Sequence, residues 1–274
     1  MKAINLLPGF FSCLFVAPAV AGGFDILGQP NDVLFEPGRY IEFGLGFASP
    51  SVEGQITAVG QRLGGNTDIS VFAGGVPAGF ANVDFEDKWA AGYVVGGAFE
   101  IPEAHVRVAV TYNSAIDYDL DTSGAYLGAT NVETPQSVNI DLQAPISLST
   151  LLFATVRWAE WSETTISPPG YPLGSLTHFN DTTTYRLGVV QMLNENWAGF
   201  TALTYEPETD ASADAPIDAT DGLWGATLGA IYTKDKVKVT TAVSYYQFGD
   251  ASGSFGSFAD NEVVSAAVKV GYSF

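Results

Sequence analysis

The sequence predicts an all-β fold, an antiparallel transmembrane β-barrel of about ten strands, with twelve or fourteen as alternatives. Three observations predict it. The first is a hydropathy period of two, plain in the last twelve residues: Val264, Ala266, Val268, Val270, Tyr272 and Phe274 are apolar, while Ser265, Ala267, Lys269, Gly271 and Ser273 are small or polar. That is a strand with one greasy face. The second is composition. Mean hydropathy is +0.17 and only 15% of residues are charged, yet the mature chain has no run of about 18 apolar residues that would form a spanning helix. Apolar content dispersed in alternation is what a barrel in lipid requires. The third is a rhythm of tight turns alternating with long connections.

The elements follow in order. Lys2, the apolar run Leu6–Ala17 and Ala19-Val20-Ala21 predict a signal peptide over 1–21. Cys13, the only cysteine, lies inside it, so the mature chain is expected to have neither disulfide nor thiol chemistry. Residues 22–39 read as a short lead-in and 40–274 as the barrel. Ile41, Phe43, Leu45 and Phe47 alternate with Glu42, Gly44, Gly46 and Ala48, giving a first strand over 40–58. The glycine-rich stretch 59–82 reads as a long loop. Trp89, Tyr93, Val95, Phe99 and Ile101 mark a strand over 84–101. Pro102-Glu103 then turns into Val106, Val108, Val110 and Tyr112, which oppose Arg107, Ala109, Thr111 and Asn113 in a strand over 104–120. Val138, Ile140, Leu142, Ala144 and Ile146 oppose Ser137, Asn139, Asp141 and Gln143 over 135–147. Further strands are expected over 149–165, 181–193, 196–208, 222–233, 236–249 and 262–274. Tight turns fall at 102–103, 147–149, 194–195 and 234–235, and long connections at 59–83, 121–134, 166–180, 209–221 and 250–261. Short turns on the periplasmic side and long loops outside are the barrel pattern. Tyr40, Trp89, Trp158, Trp197, Trp224, Tyr272 and Phe274 suit aromatic girdles at the two membrane interfaces.

If the apolar faces meet lipid, the other faces point into the lumen. They carry Arg107, Arg157, Arg186, Lys238 and Lys269 with Glu42, Asn139, Asp141 and Gln143. Two readings stand: a salt-bridged network that fills the lumen, or a basic patch for an anionic head group such as a carboxylate. Lys269 is expected to face inward near Glu42 on the first strand.

The net charge of −19 excludes a nucleic-acid partner. The acidic runs Asp117–Asp121 and Glu206–Asp221 read as solvated loops, with cation bridging to lipopolysaccharide as an alternative use. Nothing points to an enzyme. The two histidines, His105 and His178, fall at a turn and in a long loop, and there is no GxSxG, HExxH or metal-ligand cluster. No cofactor or metal is expected.

The aromatic end of the chain resembles the closing strand of bacterial outer-membrane barrels, where the last residues act as an assembly signal; that implies such a role for Tyr272 and Phe274, with outer-membrane lipid and the barrel-assembly machinery as partners. Five stretches, Trp89–Ser114, Thr134–Asn139, Leu151–Ser162, Thr184–Trp197 and Gly222–Tyr245, followed by the closing strand, resemble in order and spacing the C-terminal part of the FadL family of outer-membrane transporters for long-chain fatty acids and other hydrophobic compounds. The resemblance implies a Gram-negative outer-membrane address and passive binding and uptake of a hydrophobic small molecule. Family members begin with a hatch that plugs the lumen and carries an Asn-Pro-Ala segment. Here only Gly22–Arg39 precedes the first strand, so a shortened member lacking the hatch and several early strands is expected. A structural or loop-displaying barrel with a filled lumen, and a small non-specific pore, are the competing functions. Deleting Phe274 is expected to reduce the heat-modifiable barrel recovered in outer membranes; undiminished recovery would count against the assembly role.

Overall fold

A computed structural model describes residues 40–51, 62–73, 76–101, 103, 105–209, 215, 221–253 and 256–273. The strands are β1 (Tyr40–Ser51), β2 (Arg62–Ala73), β3 (Val76–Trp89), β4 (Val94–Ile101), β5 (Val106–Asn113), β6 (Ile116–Gly124), β7 (Gly128–Thr134), β8 (Ser137–Ser147), β9 (Thr150–Ala159), β10 (Thr182–Met192), β11 (Trp197–Glu206), β12 (Leu223–Lys234), β13 (Val237–Phe248), β14 (Ala251–Gly253), β15 (Gly256–Phe258) and β16 (Glu262–Ser273). Ten of them form one antiparallel sheet in the order β1-β16-β13-β12-β11-β10-β9-β8-β5-β4. These are the ten strands expected from the alternation. The closing strand pairs with the first along its whole length, from Tyr40↔Ser273 to Ser51↔Glu262. The signal peptide, the lead-in and Phe274 lie outside the described residues, and of Glu42 only the backbone is described.

The alternation resolves into two faces. Outward, Leu228 is 70% and Val243 55% exposed, and Val110, Ile140, Tyr185, Leu187, Leu203, Val264, Val268 and Val270 are exposed too. The residues between them are buried. No α-helix is present among the described residues to cover that buried face. Its side chains are buried by one another, which requires the sheet to roll with this face inside. An exposed apolar face on a sheet this large is stable only against lipid.

Aromatic residues stand at both ends of the apolar face. Trp197 packs on Tyr232 at the tight-turn end, ring centroids 4.8 Å apart, and Trp224 on Tyr245 at the other, 5.9 Å apart. Trp224 is the register partner of Tyr205, eight residues along β11 from Trp197. At about 3.3 Å per residue and a tilt of about 40°, that separates the girdles by about 20 Å, close to the apolar band of such barrels. Trp89, expected in a girdle, instead lies in β3, outside the ten-stranded sheet.

The tight turns are where the alternation places them. His105 and Asp235 adopt left-handed backbone, φ 51° and 55°, as short hairpin turns demand. The opposite end departs from expectation. The stretch 59–82 is no simple loop: β2 and β3 form a hairpin. The strand expected over 84–101 breaks between β3 and β4, and that over 104–120 between β5 and β6. The loop expected over 121–134 contains the turn of the β6–β7 hairpin. β2, β3, β6 and β7 form a second sheet. Its β6–β7 face, Tyr118, Leu120 and Val132, packs with Phe85, Ile116 and Ile166. Val83 joins Tyr171 and Leu176 of the β9–β10 connection, so the loop expected over 166–180 is also folded, and the strand expected over 149–165 ends at Ala159, before a 3-10 turn at Trp161–Glu163. The connection 250–261 holds the small hairpin β14–β15. The run Asp117–Asp121 is strand, its aspartates on the exposed face, with Asp121 Oδ2 2.7 Å from Lys88 Nζ. Glu206 and Asp221 are buried rather than solvated; Asp221 Oδ1 accepts from Thr209 N and Oγ1, each at 2.8 Å.

Two predictions follow the facing and the cap. Leu228→Arg is expected to cost about 2–4 kcal/mol, and Val237→Arg at the strand end about 0–1 kcal/mol, read by guanidinium unfolding in vesicles; equal costs would overturn the depth assignment. In the cap, Glu133 faces Asp117 across the β6–β7 pair. Burial, then the Asp117 carboxylate, raises the Glu133 carboxyl above its ordinary value of 4.5. A carboxyl raised on folding contributes stability below its ordinary value and loses it as pH rises through the folded value. Limited proteolysis of the β6–β7 hairpin should therefore be faster at pH 7 than at pH 5, and Glu133→Gln should flatten that difference.

Candidate functional site

The pairing registers line the inner face up in rows. At the cap end the inner face begins with Asn113, Ser137, Ala159 and Thr182; the first row below it runs Thr111, Asn139, Arg157, Thr184, and Thr184 Oγ1 donates to Glu206 Oε2 at 2.5 Å. The next runs Ala109, Asp141, Thr155, Arg186, Thr204 and on to Gly225 and Tyr246. Here Thr155 Oγ1 donates to Asp141 Oδ1 at 2.8 Å. The third holds Arg107, Gln143, Phe153, Gly188, Ala202, Thr227 and Ser244. The Thr227 and Ser244 hydroxyls are 2.8 Å apart. Towards the tight turns the wall becomes apolar: Leu151, Phe153, Val190, Ala198, Phe200, Ala202, Ile231 and Ala242 form one buried cluster, with Met192 against it.

The aromatic rings fit because the neighbouring strand offers glycine. Phe153 is the register partner of Gly188, and Phe200 of Gly229. A Cβ on Gly188 would stand 2.1 Å from Phe153 Cζ, and one on Gly229 2.3 Å from Phe200 Cζ. Each ring thus lies flat along the wall over a bare backbone. The Arg186 guanidinium sits 5.8 Å from the Phe153 centroid, in the range of a cation–π contact.

The structure places the sequence-predicted lumen residues as follows. Arg157, Arg186, Asn139, Asp141 and Gln143 share the inner face of β8–β10 and are buried. Arg107 is half-buried at the turn end and pairs with Glu100, Nε to Oε2 3.3 Å. Lys238 and Lys269 are buried on the β13–β16 side, away from the two inner arginines; Lys269 is the register partner of Gly44, and Lys238 and Glu42 both register on Gly271. Glu42 is therefore two residues along β1 from the partner of Lys269, as expected at the level of the backbone. Asn139 is 1% and Arg186 2% exposed, so among the described residues these rows face no wide water-filled space. The two histidines are exposed in connections, outside the rows.

Parity put Thr111 on the inner face; sequence reasoning missed Thr204 and Glu206 as interior polar groups, and Phe153 and Phe200 as the apolar floor. Glu206 shares the even parity of Ala198–Thr204 on β11, which was the available signal. Among the described residues, both ends of the Asn139 amide, Thr111 Oγ1, Thr204 Oγ1 and Glu206 Oε1 are buried without a hydrogen-bond partner. Each such group costs about 1–3 kcal/mol if left so.

No protein-family model matches the chain, and no curated protein matches it. Among solved structures, a Pseudomonas aeruginosa FadL homologue superposes with TM-score 0.57 at 16% identity, covering 78% of this chain and 61% of that one. The deltaS2S3 mutant of TodX, a monoaromatic hydrocarbon channel, gives 0.51 at 15% identity, covering 71% and 55%. The fold is that of the FadL-type outer-membrane channels. The chain spans less than two thirds of the length of either FadL-type structure. With that fold and its apolar belt it is an outer-membrane barrel, and the rows above are the inner wall of a FadL-type β-barrel.

In Gly188→Ala the new methyl has to displace the Phe153 ring, and is expected to cost about 1–3 kcal/mol. Gly97→Ala, which meets nothing within 4 Å, should be near neutral. Adding Phe153→Leu to Gly188→Ala should recover part of the loss; equal losses in the two single variants would refute the ring-on-glycine packing.

Proposed function

We propose that the chain binds hydrophobic small molecules in its lumen and passes them passively across the outer membrane. The observation that carries this reading is the split interior: an apolar floor of Leu151, Phe153, Val190, Phe200 and Ile231 lies directly against polar rows containing Arg157 and Arg186. Such a wall takes an apolar body at the floor and holds its polar end at the rows. The candidate ligand residues are Arg157 and Arg186; Arg107 is tied to Glu100, and the two lysines lie on β13 and β16, away from these arginines. One of the structures of like fold, TodX, is by its name a monoaromatic hydrocarbon channel, which supports the reading.

A second reading, a barrel with a filled lumen and no transport, is favoured by how thoroughly the rows and floor are buried. Uptake separates the two. Cells lacking their own hydrophobe transporters and expressing this chain are expected to take up a labelled long-chain fatty acid or an alkylbenzene faster than cells with empty vector. Phe200→Ser should cut that uptake by about tenfold, the equivalent of about 1.4 kcal/mol of apolar contact. Correctly inserted barrel with no uptake of either compound would exclude transport and leave the filled barrel.

A further inference from the structure

The row that holds Asn139 and Arg157 carries more chemistry than an apolar ligand needs. Thr111, Asn139, Arg157 and Thr184 are consecutive register partners on four neighbouring strands, and Thr184 hydrogen-bonds Glu206 on the fifth. All five are nearly or fully buried. The open atoms differ in kind. Asn139 Oδ1 and Glu206 Oε1 are acceptors that need a donor, and Asn139 Nδ2 is a donor that needs an acceptor. The hydroxyls of Thr111 and Thr204 serve either way. Because both ends of the Asn139 amide are open, the tally does not depend on which way the amide is turned.

The two arginines of these rows already face carboxylates, and the buried Asp221 lies near Glu206 as a further one. Arg157 and Arg186 stand against Asp141 and Glu206 on the same or adjacent rows, two of each sign. A carboxylate brings acceptors only. It satisfies neither Asn139 Oδ1 nor Glu206 Oε1, and it adds a further negative charge beside Asp141 and Glu206. A plain hydrocarbon satisfies none of the open atoms. A hydroxyl donates one hydrogen and accepts another, and carries no charge. It meets Glu206 Oε1 or Asn139 Oδ1 with its hydrogen and Asn139 Nδ2 or a threonine hydroxyl with its oxygen.

We propose that the row Thr111–Asn139–Arg157–Thr184–Glu206 is a recognition site for the uncharged hydroxyl of an otherwise apolar molecule, an alkylphenol or long-chain alcohol, whose apolar body rests on the Phe153–Phe200 floor. This rests on the proposed binding of hydrophobic compounds and names the polar group selected within it. Asn139 and Glu206 fix the donor and acceptor count, and the paired charges favour a neutral polar group over an anionic one.

The test compares three molecules of one shape: 4-pentylphenol, pentylbenzene and 4-pentylbenzoate, titrated calorimetrically into the full chain in detergent micelles. The phenol should bind at least tenfold more tightly than either of the others. Asn139→Leu and Glu206→Gln, each checked for heat-modifiable barrel, should bring the phenol-to-pentylbenzene affinity ratio in Asn139→Leu towards one and leave it above one in Glu206→Gln, whose amide still offers an acceptor. Equal wild-type affinities for the three compounds overturn the hydroxyl site while the binding of hydrophobes stands. Tightest binding of the benzoate overturns it in favour of the arginines as an anion site. No binding of any of the three overturns the underlying reading as well. If either variant fails to assemble, the wild-type comparison alone decides between these outcomes.

Discussion

Hydrocarbon offers no hydrogen-bond partner, so every backbone N–H and C=O inside a bilayer has to be paired by the protein itself. The other features of this chain follow from that requirement. With no spanning helix among the described residues, the pairing is done between strands, and nine successive ladders join the ten strands from β4 round to β1. Pairing fixes the period at two. The period in turn divides the residues of each strand between lipid and lumen, so Val243 and Ala242 have unrelated surroundings although they are neighbours in sequence. Antiparallel pairing also permits tight hairpins at one end, and frees the other end for elaborated connections.

What fills the inside is decided by a second constraint, volume. A ten-stranded wall is narrow, and large side chains on its inner face compete for the same axis. Phe153 and Phe200 avoid the axis by lying along the wall over Gly188 and Gly229. The glycines weaken their strands in isolation, but the rings restore contact across the pair. Nearer the cap the wall is hydrophilic, and there the charges come in opposite pairs; a buried guanidinium without a nearby carboxylate would cost several kcal/mol in desolvation. Thr155 and Thr184 hold Asp141 and Glu206 by hydrogen bonds from the strand next door, so the carboxylates are fixed by the ladder rather than by their own rotamers.

The ten spanning strands were legible because lipid enforces strict alternation. Val138–Ile146 and Val264–Tyr272 have no freedom to break the pattern, and the facing of Asn139, Arg157, Arg186 and Lys269 follows from parity alone. The cap was not legible for the opposite reason. β2 is interrupted by glycine and aspartate, and it pairs in water, where one face need not be apolar. In β6 the alternation is present, Tyr118 and Leu120 against Asp117, Asp119 and Asp121, but the charge of that run reads as a solvated loop until the β9–β10 connection is seen to cover it. Glu206 was hidden similarly, as the first residue of a long acidic run, although its strand parity points inward. The open hydrogen-bonding atoms of the first row belong to no strand in particular. They arise from the register between β5, β8, β9, β10 and β11, which alternation does not specify.

The order of polarity along the axis matters as much as its content. In the proposed transport, a molecule entering from the cap end meets the hydrogen-bonding rows before the apolar floor. Its polar group therefore exchanges water for Asn139, the threonines and the paired charges while its apolar body is still near solvent. Only then does the body reach Phe153 and Phe200. In the reverse order the polar group would have to cross the apolar floor unpartnered, at a cost of several kcal/mol. The same asymmetry makes exit towards the tight turns the harder step for a hydroxyl-bearing molecule, and the easier one for a pure hydrocarbon, which loses nothing on leaving the rows. On the proposed function, the polar rows would set which molecules linger in the lumen, and the floor which of them go on.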